Sequence, residues 1–308
     1  HRAFHALPPT LNSPKGVPTN AVFGFISVLF KMIKDLKPEY IAATFDLAAP
    51  TFRHEEFAEY KAHREKAPGE LHAQVPLIKE VLMAFGVPIY EKEGYEADDL
   101  IGALAERSKK NKDIQTIIMT GDLDTLQLVD DKKVVVFTLR KGVTDTVIYD
   151  EDEVFKRYGL KPEQLNDFKG LKGDPSDNIP GVPGVGEKTA STLIKEFGSL
   201  EELYKHLESA KSRKGKPTAR REKISEKLAQ KLMENKDMAF FSKKLATIVR
   251  DVKLDFSLDK ADWLNNFNRA ETERLFKELG LYSLVKRLDE ISKLSQKEMT
   301  FLERPEPK

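Results

Sequence analysis

Apolar positions along the first 150 residues alternate between two rhythms. Val22, Phe23, Ile26, Leu29, Phe30 and Ile33 keep the 3.6-residue helical period from Pro18-Thr19 to just before Pro38. Tyr40–Phe45 is a short apolar run of the buried-strand type, closed by Asp46. Val75, Ile78, Val81, Leu82 and Phe85 predict a second helix, stopped by Gly86, and Val87–Tyr90 predicts another strand. Leu100, Ile101, Leu104 and Ala105 set a helix that begins at Gly94-Tyr95-Glu96-Ala97-Asp98-Asp99. Ile114–Thr120 is the clearest strand, and Val134–Thr138 and Thr146–Tyr149 bracket a Lys141-Gly142 turn. Strands alternating with helices predict an α/β fold, a mostly parallel sheet flanked by helices. Beyond residue 150 the pattern is nearly all helical.

Three stretches break the rhythm. Residues 1–17 read as a loop. Residues 51–66 are helix-compatible but have a thin apolar face, with aromatic residues interleaved with Arg and Lys; this suits phosphate contact and base stacking, or an exposed surface helix. Beyond Ser295 the chain turns polar and proline-containing, a linker-like tail. Trp263, far from the basic run, is expected in the core.

Charge refines this picture more than composition does. Net charge is +1, yet residues 91–131 balance at −6 (eleven acidic, five basic) and residues 205–253 at +9 (fifteen basic, six acidic). An acidic centre beside a basic arm suits metal ions in one and a polyanion along the other, although charge runs also form plain solvated faces. With no cysteine, disulfides and thiolate metal sites are excluded, in keeping with a cytoplasmic location. No apolar run approaches the roughly 20 residues of a membrane helix.

Carboxylates collect where elements end: Asp46, Glu96, Asp98, Asp99, Asp122, Asp124, Asp174 and Asp177. Some have ordinary roles open to them. Asp98 and Asp99 suit a helix N-terminus, Asp46 a turn, and Asp174 a cap before Pro175. Brought to one sheet edge they would repel, unless divalent cations neutralised them. All-oxygen donors point to Mg²⁺ or Mn²⁺, and two such ions can activate water and stabilise the leaving oxygen of a phosphodiester. No Ser/His/Asp or Cys/His arrangement competes, and the six histidines lack ligand spacing. Gly181-Val182-Pro183-Gly184-Val185-Gly186, ahead of a helix, offers backbone N–H groups to a phosphate but lacks the spacing of a Walker loop.

Taken together, Phe52-Arg53-His54-Glu55, Tyr60-Lys61-Ala62-x-Arg64, Gly94–Asp99, Asp122-x-Asp124-x-x-Gln127-Leu128 and Gly173-Asp174-x-Ser176-Asp177-Asn178-Ile179-Pro180-Gly181 resemble the 5′→3′ exonuclease domain of bacterial DNA polymerase I, in the flap endonuclease family. The resemblance covers residues 1–290. It implies a PIN-like nuclease core over 1–170 with a helical arch near 51–69, a helical region over 171–290 with a helix–hairpin–helix near 180–197, and a tail over 291–308. Asp46, Glu96, Asp98, Asp99 and Asp122 match the tighter metal cluster, and Asp124, Asp174 and Asp177 the second-metal positions. Lys61 and Arg64 match residues on the scissile phosphate, and Tyr60 a base-stacking one. Arg2 and Arg53, with Gly184, Val185, Gly186 and Lys188 of the hairpin, complete the expected DNA-binding set, with K⁺ as a candidate at the hairpin. The implied reaction removes RNA primers and flaps near 5′ ends, during replication and repair by a monomer at the bacterial nucleoid, with a polymerase region following.

One departure matters. Family members open with a strand of the type Leu-Leu-Ile-Asp-Gly, central in the sheet and carrying a metal-binding Asp; this chain starts at His1-Arg2-Ala3-Phe4-His5-Ala6. The expectation is an active full-length nuclease and a weak or inactive 308-residue chain. The rival is a non-catalytic module that binds duplex or flap DNA without cutting it. A metal-dependent phosphatase or ribonuclease would leave the arch and hairpin without purpose.

Overall fold

A computed structural model describes residues 2–8, 10–64, 67–141, 145–212 and 224–292. The basic connector 213–223, the tail from 293 and the Arg2 side chain lie outside the described residues. The early elements are helices α1 (Arg2–Ala6) and α2 (Asn20–Leu36), strand β1 (Ala43–Thr44), then α3 (Phe52–Glu56), α4 (Gly69–Ala84) and β2 (Ile89–Tyr90). Next come α5 (Ala97–Ser108), β3 (Thr116–Met119), β4 (Val134–Lys141) and β5 (Asp145–Tyr149). The rest is helical: α6 (Glu151–Tyr158), α7 (Leu165–Lys172), α8 (Glu187–Phe197), α9 (Leu200–Ser212), α10 (Glu226–Glu234) and α11 (Lys236–Ala246). Short helices α12 (Leu258–Ala261) and α13 (Trp263–Asn266) lead to α14 (Arg269–Glu278) and α15 (Tyr282–Ser292).

The strands stand where the apolar runs placed them, in mixed pairing that is mostly parallel. β1 pairs parallel with β2, β3 pairs parallel with β4, and β5 returns antiparallel on β4. Among the described residues nothing pairs the two sheets to each other. Between β1 and β3 runs a largely apolar cavity of about 630 Å³, lined by Phe25 and Leu29 of α2, Ile101 and Leu104 of α5, and Phe45 and Ile118 beside the two strands.

Two cores follow from the amphipathic faces. One gathers β3–β5 with the helices from α6 to α10; the other packs α2 and α4 against α14 and α15. Trp263 is buried in the second, its indole N–H donating to Pro38 O at 2.8 Å. Burial of an aromatic this large is favourable when its N–H finds an acceptor.

Residues 51–64 depart from the expected arch helix. α3 ends at Glu56 because Phe57 turns extended (φ −144°, ψ 98°) and its ring meets Phe241 edge-on at 5.6 Å. Lys61 then takes a left-handed φ of 55°. Tertiary contacts here override a helix-compatible sequence.

The loop carrying Asp174 and Asp177 is held by two glycines. Gly173 (φ +75°) and Gly181 (φ +63°) approach so closely that a Cβ on Gly181 would lie 2.3 Å from Gly173 N. Replacing Gly181 by Ala adds left-handed strain to a backbone clash, so a loss of about 3 kcal/mol, or about 10 °C in Tm, is expected. A variant melting within about 2 °C of the parent in thermal unfolding would rule out that close approach.

Candidate active site

The acidic helix start divides its carboxylates between two directions. Consecutive helical residues do not share a face, and Asp98 and Asp99 obey this. Asp99 is fully buried; Arg53 Nη1 and Nη2 donate to its two oxygens at 2.7 and 2.8 Å. The same carboxylate accepts Glu96 N–H at 3.1 Å and Val249 N–H at 2.9 Å. Asp99 is therefore a buried counter-ion and helix cap, not the cleft-facing metal ligand expected of it. Arg53, expected on DNA, is 3% exposed and also donates to Leu245 O and Thr247 O, at 2.9 and 2.7 Å. With its charge enclosed by carboxylate and carbonyls, it cannot reach a phosphate. Gln127 continues this buried seam, donating to Ala246 O at 3.0 Å and accepting from Ile248 N at 2.9 Å.

Asp98 looks the other way. Burial, and then the charges of Asp122, Asp124, Asp46 and Glu96, push its carboxyl up to about 7. Asp46 after β1 and Asp122 after β3 thus lie near enough to Asp98, at the start of α5, to act on its charge. Asp46 accepts Ala97 N–H at 2.8 Å, and Asp122 accepts Asp124 N–H at 2.9 Å. Among the described residues no Lys or Arg comes within ion-pair distance of Asp46, Asp98 or Asp122. Nor do three or more acidic or histidine side chains among them already stand as a coordination shell. The donor set is nonetheless right for a hard divalent cation: oxygen only, partly desolvated, and short of positive charge.

The second group of carboxylates carries cations of its own. Lys61 Nζ lies 2.6 Å from Glu96 Oε1 and 3.7 Å from Asp177 Oδ2, while Arg64 pairs with Asp177 Oδ1 and donates to Ser176 O at 3.2 Å. Two bonds fix this segment to the Asp174–Ile179 loop: Lys61 N–H donates to Asp177 O at 3.0 Å, and the Asn178 side-chain Nδ2 to Glu59 O at 2.7 Å. Tyr60, expected to stack on a base, is 3% exposed, its hydroxyl 3.2 Å from Glu96 Oε2 and 3.3 Å from Asp177 Oδ2. Burial and those two carboxylates raise its pKa, so it stays a neutral donor. In this arrangement its ring is packing, not a stacking platform.

Asp174 is not a helix cap; it closes a small turn, accepting Ser176 N–H and Oγ–H at 3.0 and 2.6 Å. Burial would raise its pKa, but Lys169 and Ser176 overcome that and leave it lowered. Lys169, absent from the sequence reading, bonds both Asp124 and Asp174. A lysine in the last turn of a helix ordinarily serves the macrodipole, so no sequence signal marks it.

At the hairpin, Gly184, Gly186 and Lys188 are exposed. Val185 is buried, and its N–H already donates to Val182 O at 3.0 Å. Its amide is therefore unavailable to a phosphate, leaving Gly184 N–H and Gly186 N–H without a backbone acceptor among the described residues. Gly186 caps α8, which places its N–H at the positive end of that helix.

Comparison with known proteins adds three findings. Residues 1–159 match the model of the 5′-3′ exonuclease N-terminal resolvase-like domain, and residues 160–269 that of the 5′-3′ exonuclease C-terminal SAM fold. DNA polymerase I of Bacillus subtilis (strain 168) is 47% identical over 95% of this chain, and that of Bacillus caldotenax 42% identical over 96%. The chain spans 31% and 32% of the length of those relatives. Zinc-bound T5 5′-exonuclease superposes with a TM-score of 0.57 at 20% identity, covering 87% of this chain and 90% of that one. The catalytic core of Rad2 in complex with DNA substrate gives 0.55 at 16%, covering 96% and 88%. At such identities these two likenesses concern the fold.

Proposed function

Because this chain belongs to the 5′-3′ exonuclease family, we propose that it is a structure-specific 5′ nuclease, hydrolysing DNA or RNA-primer phosphodiesters at 5′ ends and flap junctions with two divalent cations. The observation that carries this reading is the uncompensated group Asp46, Asp98 and Asp122 beside a second, cation-paired group, Glu96, Asp124, Asp174 and Asp177. Asp46, Asp98 and Asp122 would hold one Mg²⁺ or Mn²⁺, and Asp124, Asp174 and Asp177 the other. Bound there, such ions lower the pKa of an attacking water and stabilise the leaving oxygen. The chain's own part is to bind and orient. Lys61 rests on Glu96 and Asp177 and Arg64 on Asp177; both can transfer to a phosphate, Arg64 by a bidentate grip. Gly184 and Gly186 N–H groups with Lys188 would hold duplex phosphates downstream, with K⁺ as the candidate cation at the hairpin. A polymerase region in the same polypeptide would accord with the DNA polymerase I relatives, of which this chain spans 31% and 32%; a bacterial cytoplasmic setting is part of the same proposal.

The test is cleavage of a 5′-end-labelled double-flap DNA in Mg²⁺ against an EDTA control. It is run on the 308-residue chain and on the chain carrying an added N-terminal Leu-Leu-Ile-Asp-Gly strand. Mg²⁺-dependent cuts near the junction by either polypeptide are expected, stronger with the strand. Tight, Mg²⁺-independent binding with no cut by either would establish the non-catalytic DNA-binding module instead.

A further inference from the structure

The carboxylates of the cleft differ in how their charge is balanced. Asp46, Asp98 and Asp122 have no cationic partner among the described residues, whereas Asp124 and Asp174 share a single ammonium. Lys169 Nζ lies 2.6 Å from Asp174 Oδ2 and also pairs with Asp124 Oδ1, with only 17% of its side chain exposed. Its backbone belongs to α7, Asp124 to the segment after β3, and Asp174 to the loop beyond α7. One side chain thus joins the nuclease core to the helical region at the place where carboxylates would otherwise repel.

An ammonium and a divalent cation cannot occupy one place. The ammonium brings three donors and one charge; the ion brings two charges and takes oxygen lone pairs. We propose that Lys169 is a placeholder for the second divalent cation: it holds Asp124 and Asp174 together without metal and must withdraw for that ion to bind. This rests on the two-ion reading above. It explains an order of filling: the uncompensated group takes an ion with nothing displaced, while the second group takes one only by displacing Lys169 from Asp124 and Asp174, beside an Asp177 that Lys61 and Arg64 also hold. Lys169 is on this account a positioning residue, and it sets the metal concentration at which the second site fills.

The test reads metal binding rather than cleavage. Calorimetric titration of the full chain with Mn²⁺ should give a tight and a weak class of site. Lys169→Met should tighten the weak class by about tenfold and leave the tight class within about threefold, whereas Lys169→Arg should leave both near the parent. The unliganded Lys169→Met protein should also melt below the parent and recover with Mn²⁺. Because that variant leaves Asp124 and Asp174 unpaired and could fail to fold, the parent protein is also labelled with ¹⁵N-lysine. Its Lys169 ammonium signal, assigned through Lys169→Arg, should be present without metal and vanish as the second equivalent of Mg²⁺ binds. A weak class unchanged or weakened in Lys169→Met, or an ammonium signal that persists with both sites full, overturns the placeholder while leaving the two-ion reading intact. Absence of any Mn²⁺ binding in parent and variants overturns the two-ion reading, and the placeholder with it.

Discussion

Asp98→Asn is expected to lower cleavage by on the order of 10³-fold while making the metal-free protein more stable above neutral pH. Both effects have one cause. The carboxyl of Asp98 is pushed up to about 7 by burial and by Asp122, Asp124, Asp46 and Glu96. The folded chain therefore keeps a proton that the unfolded chain gives up nearer pH 4. Where the native state binds the extra proton, stability falls as pH rises; the penalty grows between about pH 4 and 7 and is complete above. Its size is at most about 4 kcal/mol, at roughly 1.4 kcal/mol per unit. Thermal melts in EDTA should show the parent losing stability from pH 5 to pH 8 and Asp98→Asn losing much less. Mn²⁺ added at pH 8 should restore the parent alone. If the variant melts below the parent at pH 8 without metal, the repulsion inferred at this site does not exist.

Arg53→Met is expected to destabilise the protein by about 3–5 kcal/mol, a fall of about 10 °C or more in Tm. A buried ion pair adds little net stability over an apolar pair, but removing one partner leaves the other charge stranded. Asp99 would then be a fully buried carboxylate with only the Glu96 and Val249 N–H groups for company. Leu245 O and Thr247 O would lose their donor as well. Asp99→Asn should cost less than Arg53→Met, because an amide keeps a hydrogen-bonding oxygen, and the double variant should cost less than the sum of the two. Denaturant unfolding of the four proteins measures this coupling. Parent-like melting of Arg53→Met with weakened DNA binding would return Arg53 to the DNA-contact role.

Periodicity made the elements legible, because burial of one face is what forms them. The strand runs at 40–45, 87–90 and 114–120 contain β1 to β3, and those at 134–138 and 146–149 lie within the longer β4 and β5. Clustering of the acidic residues was legible too, since strand and helix ends converge at a sheet edge. What a linear pattern does not carry is direction. Asp98 and Asp99 look alike in sequence, yet their roughly 100° separation on a helix sends one to the cleft and the other to Arg53. That division was available from helix geometry, although Arg53 as the partner was not. The 51–66 segment reads as a helix because its residues tolerate one, and only the distant ring of Phe241 shows why it stops. Lys169 was invisible for the same reason: its two partners lie 45 residues before it and five after it, and only the fold makes them neighbours.

Lys61 and Arg64 are not free side chains; they rest on Glu96 and Asp177. A phosphate that takes them over exchanges one ion pair for another and sets two carboxylates free. Each phosphate neutralised releases about 0.9 condensed cation from duplex DNA, but each carboxylate uncovered draws a cation back. The net count of ions released is therefore smaller than the number of basic contacts. One of the two, Asp177, is where the second divalent ion is proposed to settle, so on that proposal nucleic acid and metal would favour each other's binding, and by the same factor in both directions. On the proposed nuclease reading, affinity for DNA would then depend less on monovalent salt, and more on divalent ion, than a tally of lysines and arginines indicates.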